Sequence, residues 1–136
     1  MKIDRFAELF SDTDYGFTDK AETILKPTTV LLYCWVPYRV EGIDLKLSKR
    51  SAAPGEVISY TIALNAAVPL STHTLHLKLI DPDGELSKPY SRNITAKAGK
   101  ATGLIPLALN DKKGIWEIEL KDVTSGRKTR TRFEVK

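Results

Sequence analysis

Near the C-terminus, residues 114–122 read Gly-Ile-Trp-Glu-Ile-Glu-Leu-Lys-Asp, with apolar and charged residues alternating at period two. Trp116, Ile118 and Leu120 point one way and Glu117, Glu119 and Lys121 the other. That is the pattern of a strand with one buried face and one wet face. Trp116 carries the largest side chain type to the buried face, so neighbouring strands must pack around it. The stretch predicts an antiparallel β-sandwich and carries no reaction chemistry of its own.

The same alternation runs through the chain from Gly42 onward. Ile43, Leu45 and Leu47 share a face. Ile58, Tyr60, Ile62 and Leu64 share another, as do His73, Leu75, Leu77 and Leu79. A short strand is expected at Arg92 to Ala96, then an inward row of Ile105, Leu107 and Leu109. The last strand has Thr129, Thr131, Phe133 and Val135 on one face and Lys128, Arg130, Arg132, Glu134 and Lys136 on the other. Ala53-Pro54-Gly55-Glu56, Asp81-Pro82-Asp83-Gly84, Gly99, the 110–114 segment and Ser125-Gly126 supply turns, with Pro and Gly where tight reversals want them. Counting the Trp116 strand, this gives seven strands between residues 43 and 135 with no helical period between them, the signature of an immunoglobulin-like sandwich.

Residues 1–41 read differently and form an N-terminal extension to the 42–136 sandwich, with the boundary between Pro37 and Gly42. Ile3, Phe6, Ala7 and Phe10 have i, i+3, i+4, i+7 spacing, which predicts a short amphipathic helix. Asp19 and Glu22 have capping-box spacing ahead of a second short helix that Pro27 stops. Both are too short to stand alone in water and need a surface to lie on. Residues 30–38 are apolar on both alternating faces, so a strand there is covered on both sides. It is expected either as an extra edge strand of the sandwich, with the 3–10 helix over it, or as an interdomain joint. A residual apolar patch there would promote self-association.

A chain of 136 residues, 42% hydrophobic and 28% charged, fits one ordinary globular domain. No run approaches the roughly 18 apolar residues of a membrane-spanning helix. Met1 to Arg5 lacks the apolar core of a signal peptide. A cytoplasmic protein and a processed piece of an exported one both stay open, so the compartment is unknown. The only cysteine, Cys34, sits in an apolar run and reads as a buried inert thiol. The net charge of +4 is uneven: residues 112–136 hold eight Lys/Arg against four Asp/Glu, whereas residues 1–22 hold six acids and three bases. The two ends therefore attract one another, weakly through water.

The motifs Ala53-Pro54-Gly55-Glu56-Val57, Asp81-Pro82-Asp83-Gly84 and Gly114-Ile115-Trp116, with the strand end Asp122-Val123-Thr124-Ser125-Gly126, resemble the immunoglobulin-like accessory domains of large bacterial proteins. These include macroglobulin-type and fibronectin type III-like modules. The resemblance covers 42–136. Leu32 to Val40, with Pro37-Tyr38-Arg39-Val40, is similar to the joint leading into C-terminal β-sandwich domains of bacterial glycosidase-like proteins. It implies that residues 1–36 are the tail of a preceding domain. It brings no catalytic residues.

The candidate sites have bland readings beside them. His73 and His76 are three apart, so on a strand they face opposite sides and do not share a metal. Asp81, Asp83 and Glu85 fit a hairpin turn and lack the spacing of a calcium loop. Asn93-Ile94-Thr95 matches the glycosylation acceptor pattern, which is short enough to recur by chance. The basic stripe on the last strand protects a sheet edge; it lacks the interleaved aromatics of a nucleic-acid surface. Tyr33, Trp35 and Tyr38 form either a carbohydrate or interface platform or a set of buried packing residues.

The sequence thus predicts a non-catalytic accessory domain of a larger bacterial protein, positioning a neighbouring domain or mediating subunit contact. The alternative is a carbohydrate-binding module using exposed aromatics. The expected partner is a neighbouring domain of a larger chain, a second copy, or a polysaccharide, and not nucleic acid or a membrane. No enzyme activity, cofactor or metal is expected, because no nucleophile–base pair, metal set or phosphate loop assembles from these residues.

Overall fold

The computed structural model describes residues 5–8 and 13–17 by their backbone, then residues 20, 22, 24, 26–28 and 30–136. Three strands come first: β1 (Arg5–Glu8), β2 (Thr13–Phe17) and β3 (Tyr33–Val36). They are followed by β4 (Gly42–Leu47), the two-residue β5 (Ser51–Ala52), β6 (Val57–Asn65) and β7 (His73–Ile80). The chain ends with β8 (Leu86–Ala96), β9 (Lys100–Pro106), β10 (Gly114–Asp122) and β11 (Lys128–Val135). No helix occurs among the described residues.

From Gly42 onward the fold is an all-β sandwich of two sheets, one ordered β5-β11-β10-β7-β8 and the other β4-β6-β9. Each of the seven predicted strands overlaps an observed one, the fifth only at Ile105 and Pro106, since β9 starts at Lys100. Their inward rows interleave: Ile58, Tyr60, Ile62 and Ile105 from the smaller sheet meet Leu75, Leu77, Leu79, Ile118, Leu120 and Phe133 from the larger. Trp116 stacks on Phe133 at 6.2 Å and takes the edge of Tyr90 at 5.9 Å. Its Nε1 donates to the Lys112 carbonyl at 2.8 Å, so the one polar atom of the ring is satisfied at the rim of the core. Gly103 lies where any Cβ would overlap the Tyr60 hydroxyl and ring. Arg92 crosses from β8 to donate to the Leu104 carbonyl at 2.5 Å and the Tyr60 hydroxyl at 3.2 Å, which ties the two sheets together at that corner.

Some expectations need correction. β8 begins at Leu86, not Arg92, because Pro89 hides the alternation; the ladder absorbs it with a register shift between Leu77 and Leu79. Leu109 is 84% exposed. The chain leaves the sheet after Pro106 and turns, with Asp111 N–H bonding to the Ala108 carbonyl, so period two no longer governs that side chain. The strand β5 pairs in parallel with the end of β11 and is too short to carry a pattern of its own.

The N-terminal helix expected over 3–10 is replaced by strand where the structure describes it. Phe6 and Ala7 lie in β1; Ile3 and Phe10 fall outside the described residues. β1 pairs on one side with β2 and on the other with β3, giving residues 5–8 backbone partners that two isolated helical turns lack. Of the second short helix, expected from Asp19, the described residues Lys20, Glu22, Ile24 and Lys26 lie in no helix, and Asp19 falls outside the described residues. β3 joins β1 and not an edge of the sandwich. The Asp81–Gly84 turn is as expected: Gly84 takes a φ of 84°, and its N–H bonds to the Asp81 carbonyl at 2.9 Å.

Candidate functional site

The inward row of β10 runs Trp116, Ile118, Leu120 and ends on a charged residue, Asp122. The inward row of β7 begins on His73. Register pairs Asp122 with Leu75 and Leu120 with Leu77, so both polar side chains come to the same end of the core. His73 is 1% exposed and Asp122 fully buried. His73 Nδ1 lies 3.0 and 3.1 Å from the two Asp122 oxygens. As a carboxylate Asp122 only accepts, so Nδ1 carries the proton and donates. Ser125 donates its hydroxyl at 2.5 Å and its N–H at 3.2 Å to Asp122 Oδ2.

The far side of the imidazole meets the joint before the sandwich. Tyr38, 7% exposed, places its hydroxyl 2.9 Å from His73 Nε2 and in hydrogen bond with Ser71 Oγ. The Ser71 N–H also donates to that hydroxyl, at 3.2 Å. With Nε2 accepting, one donor direction satisfies the line: Ser71 Oγ–H to Tyr38, Tyr38 O–H to Nε2, and Nδ1–H to Asp122. Only Ser71, at the outer end, is exposed. Tyr38 stands between Ser71 and the imidazole, so this is not the direct nucleophile–base contact of acyl-transfer sites. The chain of bonds joins three separate segments and leaves no buried polar atom of its own unpaired.

More links hold the joint. Val40 is buried in the core, and its carbonyl accepts from Arg127 Nε at 3.2 Å. The Glu41 N–H bonds to the Asn65 carbonyl at 2.7 Å. Cys34 on β3 lies beside Thr124 in the β10–β11 turn. Burial pushes its thiol up, the Thr124 side chain works against that, and the nearby Asp122 charge adds to the rise. The thiol is therefore protonated at neutral pH.

The aromatic trio separates. Tyr38 is turned into the core and is not a platform. Trp35 is 50% exposed on β3, while Tyr33 is partly buried on the same strand. The histidines also separate, as strand parity requires: His76 sits on the outer face, its Nδ1 2.6 Å from Asn93 Oδ1. Asn93 of the Asn-Ile-Thr pattern is exposed on β8.

The two-residue β5 pairs only with Glu134 and Val135, so Lys128, Arg130 and Arg132 of the basic stripe stand on the stretch of β11 that β5 does not pair. Arg130 reaches Glu119 at 2.6 Å and Arg132 reaches Glu117 at 2.9 Å, across the β10–β11 ladder. Burial raises Glu119, but the Arg130 hydrogen bond and the charges of Arg130, Lys78 and Lys128 outweigh it and hold the carboxyl below its usual range. Asp81 and Asp83 both hold Lys112, at 2.5 and 2.6 Å. The Lys112 bond and the turn N–H groups hold Asp81 low, and the two aspartates push Lys112 well above the usual lysine range. Among the described residues, no three His, Cys, Asp or Glu side chains gather as a metal site.

The geometry is that of a clamped joint. No protein-family model matches the sequence, and no curated protein does. Solved structures with a similar fold include a trypsin-activated α2-macroglobulin from Escherichia coli, with TM-score 0.58 and 21% identity over 71% of this chain and 7% of that one. A β-glucosidase from Erythrobacter marinus aligns with TM-score 0.50 and 11% identity, over 74% of this chain and 16% of that one. A β-glucosidase from Listeria innocua aligns more loosely, at TM-score 0.43 and 16% identity, over 68% and 16%. This chain matches a small part of much larger proteins. At these identities the likeness is one of fold.

Proposed function

We propose that this chain is a non-catalytic accessory domain of a larger bacterial protein, holding a neighbouring domain at a fixed angle or mediating subunit contact. The observation that carries the reading is the anchoring of residues 36–41. Tyr38 and Val40 are core residues of the sandwich, and Tyr38 is hydrogen-bonded to His73 and Ser71. A segment entering through such a joint inherits its direction from the sandwich. The small share of the macroglobulin and glucosidase chains that this fold occupies is compatible with that role. The buried network then works as a structural clamp.

The half-exposed Trp35 favours a second reading, a carbohydrate-binding module with one aromatic platform. The test is a substrate screen and polysaccharide affinity electrophoresis on the purified chain. Accessory function predicts no turnover and no retardation. Retardation on a polysaccharide gel that Trp35→Ala abolishes would assign the carbohydrate reading instead. Turnover of a glycoside, ester or phosphate, lost on one point substitution, would end the accessory reading.

A further inference from the structure

The two outer faces of the sandwich differ in charge. The five-stranded sheet presents Lys78, Glu117, Glu119, Arg130 and Arg132, linked in cross-strand ion pairs. The outward row of β6, the central strand of the other sheet, is Val57, Ser59, Thr61 and Ala63, with no charge at all. Beside it on β9 come Thr102, Leu104 and Pro106, again uncharged. Val57 is 46% exposed and Leu104 56%. Sheet faces left to water normally carry interspersed charge.

Charge returns only at the rims, and its placement is informative. Register puts Asp44, Ala63 and Lys100 in one row, the acid on the β4 edge and the base on the β9 edge. The next row is Lys46, Thr61 and Thr102. A two-fold axis laid along β6 stacks this face on a second copy with β4 over the partner's β9. Asp44 of each copy then meets Lys100 of the other, twice, Lys46 meets a threonine, and the uncharged centre packs on itself. A two-fold axis across the strands, centred on Thr61, stacks β4 on its own copy and brings Lys46 against Lys46. Stacked sheets lie about 10 Å apart with strands nearly aligned, which both arrangements satisfy, so the charge pairing selects the first.

We propose that the outer face of β4-β6-β9 is a self-complementary interface with a second copy of this chain, keyed by reciprocal Asp44–Lys100 pairs about a two-fold axis along β6. This gives the subunit-contact part of the proposed function its partner and surface, and rests on that part. Three strands about 4.8 Å apart make a small footprint. It falls short of the roughly 800 Å² per partner of a standard interface, so the dimer is weak.

The experiment is sedimentation equilibrium of the 136-residue chain up to about 1 mM, the range of weak association. Wild type is compared with Asp44→Lys, Lys100→Asp and the double swap. All the exchanged side chains are exposed, and thermal melts check the fold. Each single swap sets like charges against each other at two points and weakens the dimer roughly tenfold or more. The double swap restores opposite charges across the axis and recovers wild-type association. A monomer at every concentration overturns the proposal. So does a dimer indifferent to the single swaps, as association through Trp35 would be, or one that the double swap weakens further. None of these outcomes touches the non-catalytic reading, which turnover alone would sink.

Discussion

His73 Nδ1 lies within 3.1 Å of both carboxylate oxygens of Asp122, at a point where neither side chain meets solvent. Removing one member of such a pair strands the other in a low-dielectric site. Asp122→Ala leaves the His73 Nδ1–H and the Ser125 donors without their acceptor and should destabilise the chain by about 1–3 kcal/mol. Urea unfolding checks it, and a loss below about 1 kcal/mol would mean that water takes the place of the carboxylate. Tyr38→Phe keeps the ring in the core and deletes only the hydroxyl. It should cost about 1–3 kcal/mol, because His73 Nε2 and the Ser71 N–H lose their partner.

Trp116→Ala should cost about 3–5 kcal/mol through the cavity left against Phe133 and Tyr90. Leu109→Ala should stay within about 0.5 kcal/mol of wild type, since that side chain is in water. Thermal melts of the two variants measure the contrast. Equal melting temperatures would contradict the core assignment.

Gly103→Ala tests packing of another kind. The added methyl overlaps Tyr60, whose ring is buried and bonded to Arg92 and so has little room to move. Overpacking of this sort costs about 1–3 kcal/mol. An unchanged melt would show that the corner closed by Arg92 is looser than it looks.

Acid should weaken the fold. Glu119 and Asp81 are both held below their ordinary values in the folded chain. A folded-state value below the unfolded one gives stability that is present above the unfolded value and lost as pH falls through the folded one. The melting temperature should therefore hold through neutral pH and fall below about pH 4. Glu119→Gln should be less stable than wild type at pH 7, and the difference should shrink as the pH drops. A difference that persisted to pH 2 would rule out the ion pair with Arg130 as its source.

The sandwich was legible because its strands alternate and its turns carry Pro and Gly at fixed places; the Trp116 row alone set the phase of β10. The clamp was legible in part. His73 was visible on the Leu75 row, and Asp122 continues the Trp116–Ile118–Leu120 row by simple parity. Two polar residues ending two inward rows were the signal for a buried pair. What parity cannot supply is register, which brings those two row ends together, or the return of Tyr38 from outside the alternating region. The helix over 3–10 failed for a related reason. Spacing at Phe6 and Ala7 fits a helical face, but the partners β2 and β3 lie outside the 3–10 window and win through backbone pairing.

The central claim is that the joint is part of the sandwich. Amide hydrogen exchange at Glu41 tests it most directly, because its N–H bonds to the Asn65 carbonyl just beyond Tyr38 and Val40. The clamped joint predicts that Glu41 exchanges within about tenfold of core amides such as Ile62, and faster in Tyr38→Phe. Exchange at Glu41 as fast as in an unstructured peptide, unchanged by that substitution, would contradict the claim.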